Sequence, residues 1–172
     1  MRQNIDYKLY GNVHCDLSAK YFKKQKTGIA VINSDKSFHR GICLTSAFKK
    51  SLKSHKCYTD ERLHSICIWK IIEQDIDSIE CIILCMDTEY EKTKRYLEYL
   101  FQNKCPKIES LSRYREELQK NVKSLAHNIA NAYRKRAFKL SSKGKELNVV
   151  KISYKEIIEL LVELEEFDKK SE

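Results

Sequence analysis

The sequence predicts an α/β fold: a mixed five-stranded sheet with helices on both faces. Two observations carry this prediction. Residues 7–46 contain three strand-like segments with short polar connections, which is typical of an antiparallel meander. After residue 58, helical and strand-like patterns alternate, which is typical of helix–strand units packed on a sheet. The predicted element order is β-β-β-α-β-α-α-β-α, within one domain that spans residues 1–172.

Five segments have the composition and period of β-strands. The first three, residues 7–19, 26–34 and 37–46, follow one another closely along the chain. Residues 78–87 are apolar on both faces, which indicates a central strand that is covered on both sides. Residues 146–153 complete the predicted sheet as its fifth strand.

Helical periodicity marks the segments between and after the later strands. Apolar residues recur at helical spacing over 59–74 and 88–102, and both segments are amphipathic. A third stretch, 110–140, is one long helix or two helices with a kink, and residues 154–167 form an acidic closing helix. Residues 48–58 are basic and fit either a short helix or a loop.

Positive charge is concentrated in one part of the chain. The formal net charge is +9, and residues 107–145 hold eleven Lys and Arg against three Glu. Residues 146–172 are acidic, with eight Asp and Glu against four Lys. A basic segment on a globular body indicates a polyanionic partner, most simply nucleic acid, although a solvated helix face has the same pattern.

Composition also predicts the compartment. The first thirteen residues lack the apolar stretch of a signal peptide, and no apolar run approaches the roughly 18 residues of a spanning helix. The seven cysteines are scattered through predicted elements, which favours reduced thiols in a cytoplasmic protein without membrane contact. Cys81 and Cys85 share a strand face, where packing is favoured over a metal pair because no second Cys or His pair follows at zinc spacing.

Three carboxylates occupy positions where a charge needs an explanation. Asp16 lies inside the first strand, Asp87 ends the fourth strand, and Glu61 lies in the first turn of the helix before that strand. A bare carboxylate in a buried strand is costly unless a positive group compensates it. If the first and fourth strands are neighbours, Asp16 and Asp87 come within roughly 5 Å, and a divalent cation such as Mg²⁺ would relieve their repulsion.

Two of these carboxylates also have a simpler interpretation. Asp87 could be a solvated strand end, and Glu61 could interact favourably with the dipole of its helix. Asp16 is less easily explained in this way. Two cations about 3.5–4 Å apart could activate a water molecule for phosphodiester cleavage, which is chemistry that a basic surface would serve.

The three carboxylates stand in motifs that resemble those of the ribonuclease H superfamily. The first strand carries DLS (16–18) where the family has a DGS-type motif, and strands two and three follow as GIAVIN and FHRGICLTS. The next helix contains DERLHSICIW, with Glu61, and strand four ends in CMDTEY, with Asp87 where type 1 enzymes have TDSxY. The resemblance covers residues 10–102 and continues afterwards only in element order. It implies a ribonuclease H-like sheet, with Asp16, Glu61 and Asp87 as ligands of Mg²⁺ or Mn²⁺.

The resemblance also implies a fourth carboxylate and a surface that grips nucleic acid. The fourth carboxylate lies on the helix after strand five, where Glu156 and Glu159 are nearest the start. The basic helical segment with which family members grip the hybrid corresponds to about 108–140 in this chain. Its predicted phosphate contacts are Arg134, Lys135, Arg136 and Lys139.

Two functions follow from this resemblance. The first is a metal-dependent nuclease that cleaves the RNA of an RNA/DNA hybrid or another structured nucleic acid; a junction resolvase or integrase core falls within this class. The second is a non-catalytic module of the same fold that binds nucleic acid or a protein partner, since no His follows residue 127 to match the His-bearing loop of type 1 enzymes. An actin-like phosphate-binding fold needs a duplicated domain, for which 172 residues are too few.

Overall fold

A mixed sheet of five strands forms the centre of the computed structural model, which describes residues 10–18, 20–85, 89–118, 126–135 and 148–171. The strands are β1 (Gly11–Ser18), β2 (Thr27–Asn33), β3 (His39–Leu44), β4 (Ile79–Leu84) and β5 (Lys107–Ser110). Their order is β3-β2-β1-β4-β5. The first three strands pair antiparallel, whereas β4 runs parallel to both β1 and β5. This confirms the predicted α/β class and the mixed five-stranded sheet.

The structure describes six α-helices around this sheet. They are α1 (Ser46–Lys53), α2 (Asp60–Ile72), α3 (Tyr90–Phe101), α4 (Leu111–Leu118), α5 (Ala126–Lys135) and α6 (Tyr154–Ser171). Short 3-10 helices at Glu73–Ser78 and Gln102–Lys104 follow α2 and α3. Within the described residues, no helix is both long and apolar enough to cross a lipid bilayer.

One side of the sheet packs against the main core, and we call it the apolar face. Val13, Cys15 and Leu17 of β1 point into this core, which α2, α3 and α6 complete. The α2 helix contributes Leu63 and Ile66, both fully buried. Burying a side chain of this size stabilises a fold by about 1.5–3 kcal/mol, so this face supplies most of the hydrophobic stabilisation.

The opposite side of the sheet, which we call the polar face, carries His14, Asp16 and Ser18 of β1. The α4 and α5 helices cover it. Cys81 and Cys85 pack on this face in a small apolar cluster, as the packing interpretation predicts. None of the seven cysteines, all of which lie within the described residues, forms a disulfide.

Small residues allow α5 to lie very close to the polar face. A Cβ atom on Gly28 would lie only 2.1 Å from the carbonyl oxygen of Ala130. The Tyr133 ring similarly occupies the space above Gly41 in β3. Ala30 packs between these contacts in a cluster with Ala130 and Tyr133. The residues of α5 that face the sheet are therefore held against β2 and β3 rather than separated from them by large side chains.

The fifth strand differs from the prediction. It is β5, whose four residues pair continuously with β4, and not residues 146–153. Of that stretch, the described part makes one bridge, between Val149 and Gly41. Its β-branched residues favour a strand, but only two backbone hydrogen bonds join it to the outer edge of β3 before α6 begins.

The helix that was predicted over residues 110–140 is described as two separate helices. The first, α4, ends at Leu118, and the second, α5, begins at Ala126. The residues between them, and residues 136–140, lie outside the described part of the chain. The structure therefore confirms that these two stretches are helical, as the prediction requires.

The α6 helix runs antiparallel to α2. Glu156, in its first turn, lies 3.2 Å from Lys70 near the end of α2. Asp168, in its last turn, lies 2.6 Å from Arg62 near the start of α2. The acidic helix therefore places its two ends against cations at opposite ends of α2.

Candidate functional site

Asp16 is the buried carboxylate at the centre of the polar face. It pairs with Ala30 of β2, and 4% of its surface is exposed. Its Oδ1 accepts a hydrogen bond of 2.8 Å from the backbone N–H of Leu17. Its Oδ2 lies 3.3 Å from Nδ1 of His127, the second residue of α5.

His127 connects this buried carboxylate to solvent. Its side chain is 65% exposed, whereas its neighbours along α5, Ala126 and Ala130, are fully buried. The imidazole therefore lies at the rim of α5, with one nitrogen directed at Asp16. Sequence reasoning did not identify this contact. The available signal was the set of small residues at Gly28, Ala30 and Ala130, which predicts a close approach of a helix to β2.

Arg134 holds a polar network beside Asp16. Its Nε donates to Oγ of Ser18 at 3.0 Å, and its Nη2 donates to Oδ1 of Asn131 at 2.7 Å. Its Nη1 donates to Oε1 of Gln25, in the loop after β1, at 3.0 Å. The guanidinium thus links β1, α5 and the loop, and each of its three nitrogens donates a hydrogen bond to a protein oxygen.

The four predicted phosphate contacts have different outcomes. Arg134 serves the network just described, and Lys135 is exposed at the end of α5. Arg136 and Lys139 lie outside the described residues. The structure therefore shows one exposed cation of the predicted set, and one that binds protein groups.

The ends of β1 and β4 lie side by side. Cys15 is in register with Leu84, and the backbone N–H of Cys85 donates to the carbonyl oxygen of Cys15 at 3.0 Å. The condition that the first and fourth strands be neighbours is therefore met. Asp87, which follows Cys85 by two residues, lies outside the described residues.

Glu61 belongs to α2, the helix that packs on the other side of the sheet. It is half-buried in the first turn of α2, where Thr59 caps the helix by accepting a hydrogen bond from the backbone N–H of Arg62. The buried residues of α2 belong to the core of the apolar face. Asp16 points to the polar face, whereas Glu61 lies at the start of a helix that packs on the apolar face.

Glu156 and Glu159 occupy a third location. Glu156 accepts a 2.8 Å hydrogen bond from the backbone N–H of Ser153, and this bond, with help from Lys70, lowers the pKa of its carboxyl to about 2. Glu159 is exposed, 3.8 Å from Lys155. Lys70 follows Glu61 by nine residues of α2, which is roughly 13 Å along the helix axis. Glu156 caps the start of α6 through its bond with Ser153.

His14 is a further buried polar group on this face. It lies two residues before Asp16 on the same side of β1, and its ring meets Tyr114 of α4 edge-on, with 5.6 Å between centroids. Its Nδ1 has no hydrogen-bond partner among the described residues, and burial lowers the pKa of the imidazole. His14 is therefore held neutral at physiological pH. In the described ranges, no three His, Cys, Asp or Glu side chains form a group that could hold a metal ion.

Comparison with known proteins assigns this chain to no family. No protein-family model, curated protein or solved structure matches it.

Proposed function

We propose that this protein is a metal-dependent nuclease of ribonuclease H-like type, which hydrolyses phosphodiester bonds in the RNA of an RNA/DNA hybrid or in another structured nucleic acid. One observation carries the proposal: Asp16 is a buried carboxylate on the central strand, one residue beyond the point where the parallel β4 ends. A carboxylate at such a place is costly to bury unless a cation shares it.

Asp16 and Asp87 are the proposed carboxylate ligands of Mg²⁺ or Mn²⁺. Asp87 enters from the sequence, as the residue two positions beyond Cys85, which is hydrogen-bonded to Cys15 of β1. A bound cation would lower the pKa of a coordinated water and stabilise the leaving oxygen. Glu61 stays a sequence prediction, because its helix packs on the apolar face.

His127 takes the place that the resemblance gives to a fourth carboxylate. Since β5 is the fifth strand, the helices that follow it are α4 and α5, and α5 carries His127 beside Asp16. An ion about 2.1 Å from each of two adjacent ligands separates them by roughly 3 Å, and Asp16 Oδ2 and His127 Nδ1 are 3.3 Å apart. The pair therefore fits an ion, and its imidazole favours Mn²⁺ over Mg²⁺, which prefers oxygen ligands.

A non-catalytic module that binds nucleic acid is the second candidate. It is favoured by the helix cap that Glu156 forms beside Lys70, whereas Asp16 contacts His127 on the polar face. In this alternative, the contact between Asp16 and His127 only attaches α5 to the sheet. A protein of this kind would bind nucleic acid through its basic surfaces without cleaving it.

A cleavage panel tests the proposal. Labelled hybrid, single-stranded, duplex and branched substrates are incubated with Mg²⁺ or with Mn²⁺. We expect cleavage of at least one substrate, faster with Mn²⁺, and a loss of about a hundredfold or more in Asp16→Asn and in Asp87→Asn with affinity retained. Glu159→Gln is the matched control and should cleave as the wild type does, since this carboxylate is exposed on α6.

The two candidates predict different results. If the wild type cleaves no substrate with either cation, or if Asp16→Asn cleaves normally, the nuclease proposal is wrong. If no cleavage occurs but a substrate is bound with an affinity that Asp16→Asn leaves unchanged, the binding module is supported instead.

A further inference from the structure

Two lysine-rich segments meet beyond the end of β1. The loop 20–26 and the segment 46–56, which contains α1, together hold eight lysines and no Asp or Glu. They line an open groove of about 470 Å³. We call this surface the lysine groove.

A buried lysine holds the two sides of the groove together. Lys49 of α1 is 2% exposed, and its ammonium donates to the carbonyl oxygens of Lys23 and Gln25, at 2.8 and 2.7 Å. Its third bond, of 2.8 Å, goes to Oγ1 of Thr27. Three donors thus meet three acceptors, and the loop is attached to α1 at a defined distance.

The loop also has a fixed orientation. Tyr21 is buried, and its hydroxyl lies 2.7 Å from Nδ1 of His64. Burial lowers the pKa of His64 to about 4, so this imidazole is neutral at pH 7. Tyr21 points inward, whereas the side chain of Phe22 is 59% exposed. Phe22 is the most exposed large hydrophobic residue in the described part of the chain.

This arrangement brings like charges into one groove. Lys23 and Lys24 of the loop line it together with Lys50 and Lys53 of α1. Like charges at such a surface repel one another and lower the stability of the fold. The protein nevertheless uses a buried cation, Lys49, to hold these two basic segments together. An anionic partner that lies between them would remove the repulsion.

We propose that the lysine groove binds single-stranded nucleic acid, with phosphates on the lysines of both segments and a base stacked on Phe22. Backbone phosphates supply the negative charge that the groove lacks, and an exposed aromatic ring accepts any base as a stacking partner. Double-stranded nucleic acid offers no unstacked base to Phe22. The groove therefore favours a single strand over a duplex.

A membrane surface fits the groove less well. Interfacial binding uses a row of apolar side chains that enter the lipid together, whereas the groove presents a single exposed large apolar side chain, Phe22, within its described residues. The lysines line a concave surface, which a flat bilayer contacts poorly. Anionic vesicles serve below as a test of this alternative.

The groove is joined to the Asp16 site through Gln25, which accepts a hydrogen bond from Arg134. The inference shares with the proposed function only the class of partner. It needs neither a metal ion nor cleavage, so binding is measured in the presence of EDTA. If the nuclease proposal fails, the groove proposal still stands. If the groove proposal fails, the cleavage panel still tests the nuclease proposal separately.

The experiment is fluorescence anisotropy with labelled twelve-nucleotide oligo(U) and oligo(dT), titrated with the full chain at several salt concentrations. The test variants are Lys23→Glu/Lys24→Glu and Phe22→Ala. The matched control is Lys92→Glu/Lys94→Glu on α3, which makes the same change of charge at exposed lysines outside the groove. Thermal melting confirms that each variant is folded, and Lys49 is left unchanged because the loop depends on it.

We expect the loop double variant to weaken binding at least tenfold and to reduce the slope of log K against log salt by about 1.4. Phe22→Ala should weaken binding by about fivefold or more, while the control changes it less than twofold. Equal losses in the control and in the loop variant, or no loss in Phe22→Ala, would overturn the proposal. Wild-type binding to phosphatidylserine vesicles but not to either oligonucleotide would overturn it in favour of a membrane surface.

Discussion

The two faces of the sheet share the same strands and differ in what β1 presents to them. Toward the apolar face, β1 presents Val13, Cys15 and Leu17. Toward the polar face, it presents His14, Asp16 and Ser18, all of which are also buried. Alternation along a strand assigns each set to one side. One strand therefore supplies both an apolar core and a buried polar layer.

The two faces also differ in the partners of their buried polar and charged groups. On the apolar face, the buried cation Arg62 is paired with Asp168 and Glu165, although its Nε has no hydrogen-bond partner among the described residues. On the polar face, Asp16 lies beside the exposed imidazole of His127, and the Nδ1 of His14 has no hydrogen-bond partner among the described residues. A buried titratable group that reaches solvent through a neighbouring side chain is a candidate for a functional site. We therefore propose that the function of this protein lies on the polar face and at its edges.

A matched pair of substitutions on β4 tests this comparison with the largest expected effect. Ile82 and Ile83 are adjacent and fully buried, but Ile82 lies in the main core and Ile83 in the small cluster of the polar face. We expect Ile82→Ala to lower the free energy of unfolding by about 4 kcal/mol, and Ile83→Ala by about 2 kcal/mol, because the smaller cluster can collapse around the cavity. Urea unfolding measures both values. An equal loss would show that the two faces contribute alike.

The ion pair between Asp168 and Arg62 provides the second test. Although burial raises the pKa of Asp168, hydrogen bonds from Arg62 and Tyr96 hold it below its usual value. Asp168→Ala leaves a buried guanidinium with fewer partners and should lower the free energy of unfolding by about 3 kcal/mol at pH 7. Glu163→Ala, which removes an exposed carboxylate of the same helix, is the control and should have a much smaller effect.

The loss in Asp168→Ala should also depend on pH. A depressed pKa in the folded state means that the carboxylate stabilises the fold above the unfolded pKa of about 4. This contribution is lost as the pH falls through the lower pKa of the folded state. Unfolding curves of the wild type and the variant should therefore converge below about pH 4. A difference that persists at acid pH would attribute the effect to packing.

The third test concerns the close contact between α5 and β2. Gly28→Ala places a Cβ against the backbone of Ala130 and Arg134, so α5 has to move away from the sheet. We expect a loss of about 2 kcal/mol in the free energy of unfolding, and faster amide exchange in α5. Gly11→Ala, which strains its own backbone but places its Cβ in open space, should leave amide exchange in α5 unchanged. Unchanged exchange in Gly28→Ala would contradict the close contact.

His127→Ala is the smallest expected change in stability. The imidazole is largely exposed, so water can replace it beside Asp16, and the free energy of unfolding should change by less than about 0.5 kcal/mol. If the imidazole is a ligand, Mn²⁺ should raise the Tm of the wild type and raise that of the variant less. Lys155→Ala, at an exposed ion pair on α6, should respond to Mn²⁺ as the wild type does. An equal response in all three proteins would remove His127 from the metal site.

Local pattern predicted the first four strands, α2 and α3 to within a few residues, because each has a clear period and the chain connects them closely. It was wrong about the fifth strand. Residues 146–153 have a strand-like composition, and β5 is only four residues long, which is too short for a periodic signal. Strand pairing is decided by which edge is available, and that depends on distant parts of the chain.

The candidate site was predicted in part for the same reason. Asp16 stood out because a charge inside an apolar strand is unusual, and it lies buried beside the end of β4. Glu156 was expected near it on the assumption that its helix followed the fifth strand. With β5 at Lys107–Ser110, that position falls to α5, and His127 is the residue that approaches Asp16.

By itself, the sequence determined the class of fold, the alternation of β1 and the basic character of the chain, since these follow from local composition and period. Tertiary structure alone decided which groups share a site. It packed α2, which begins near Glu61, on the apolar face, directed Glu156 to a helix cap, brought His127 to Asp16, and joined two lysine-rich segments through Lys49. These outcomes depend on contacts between residues far apart in the chain, whose energies are set by packing and by available hydrogen-bond partners, and not by neighbouring residues.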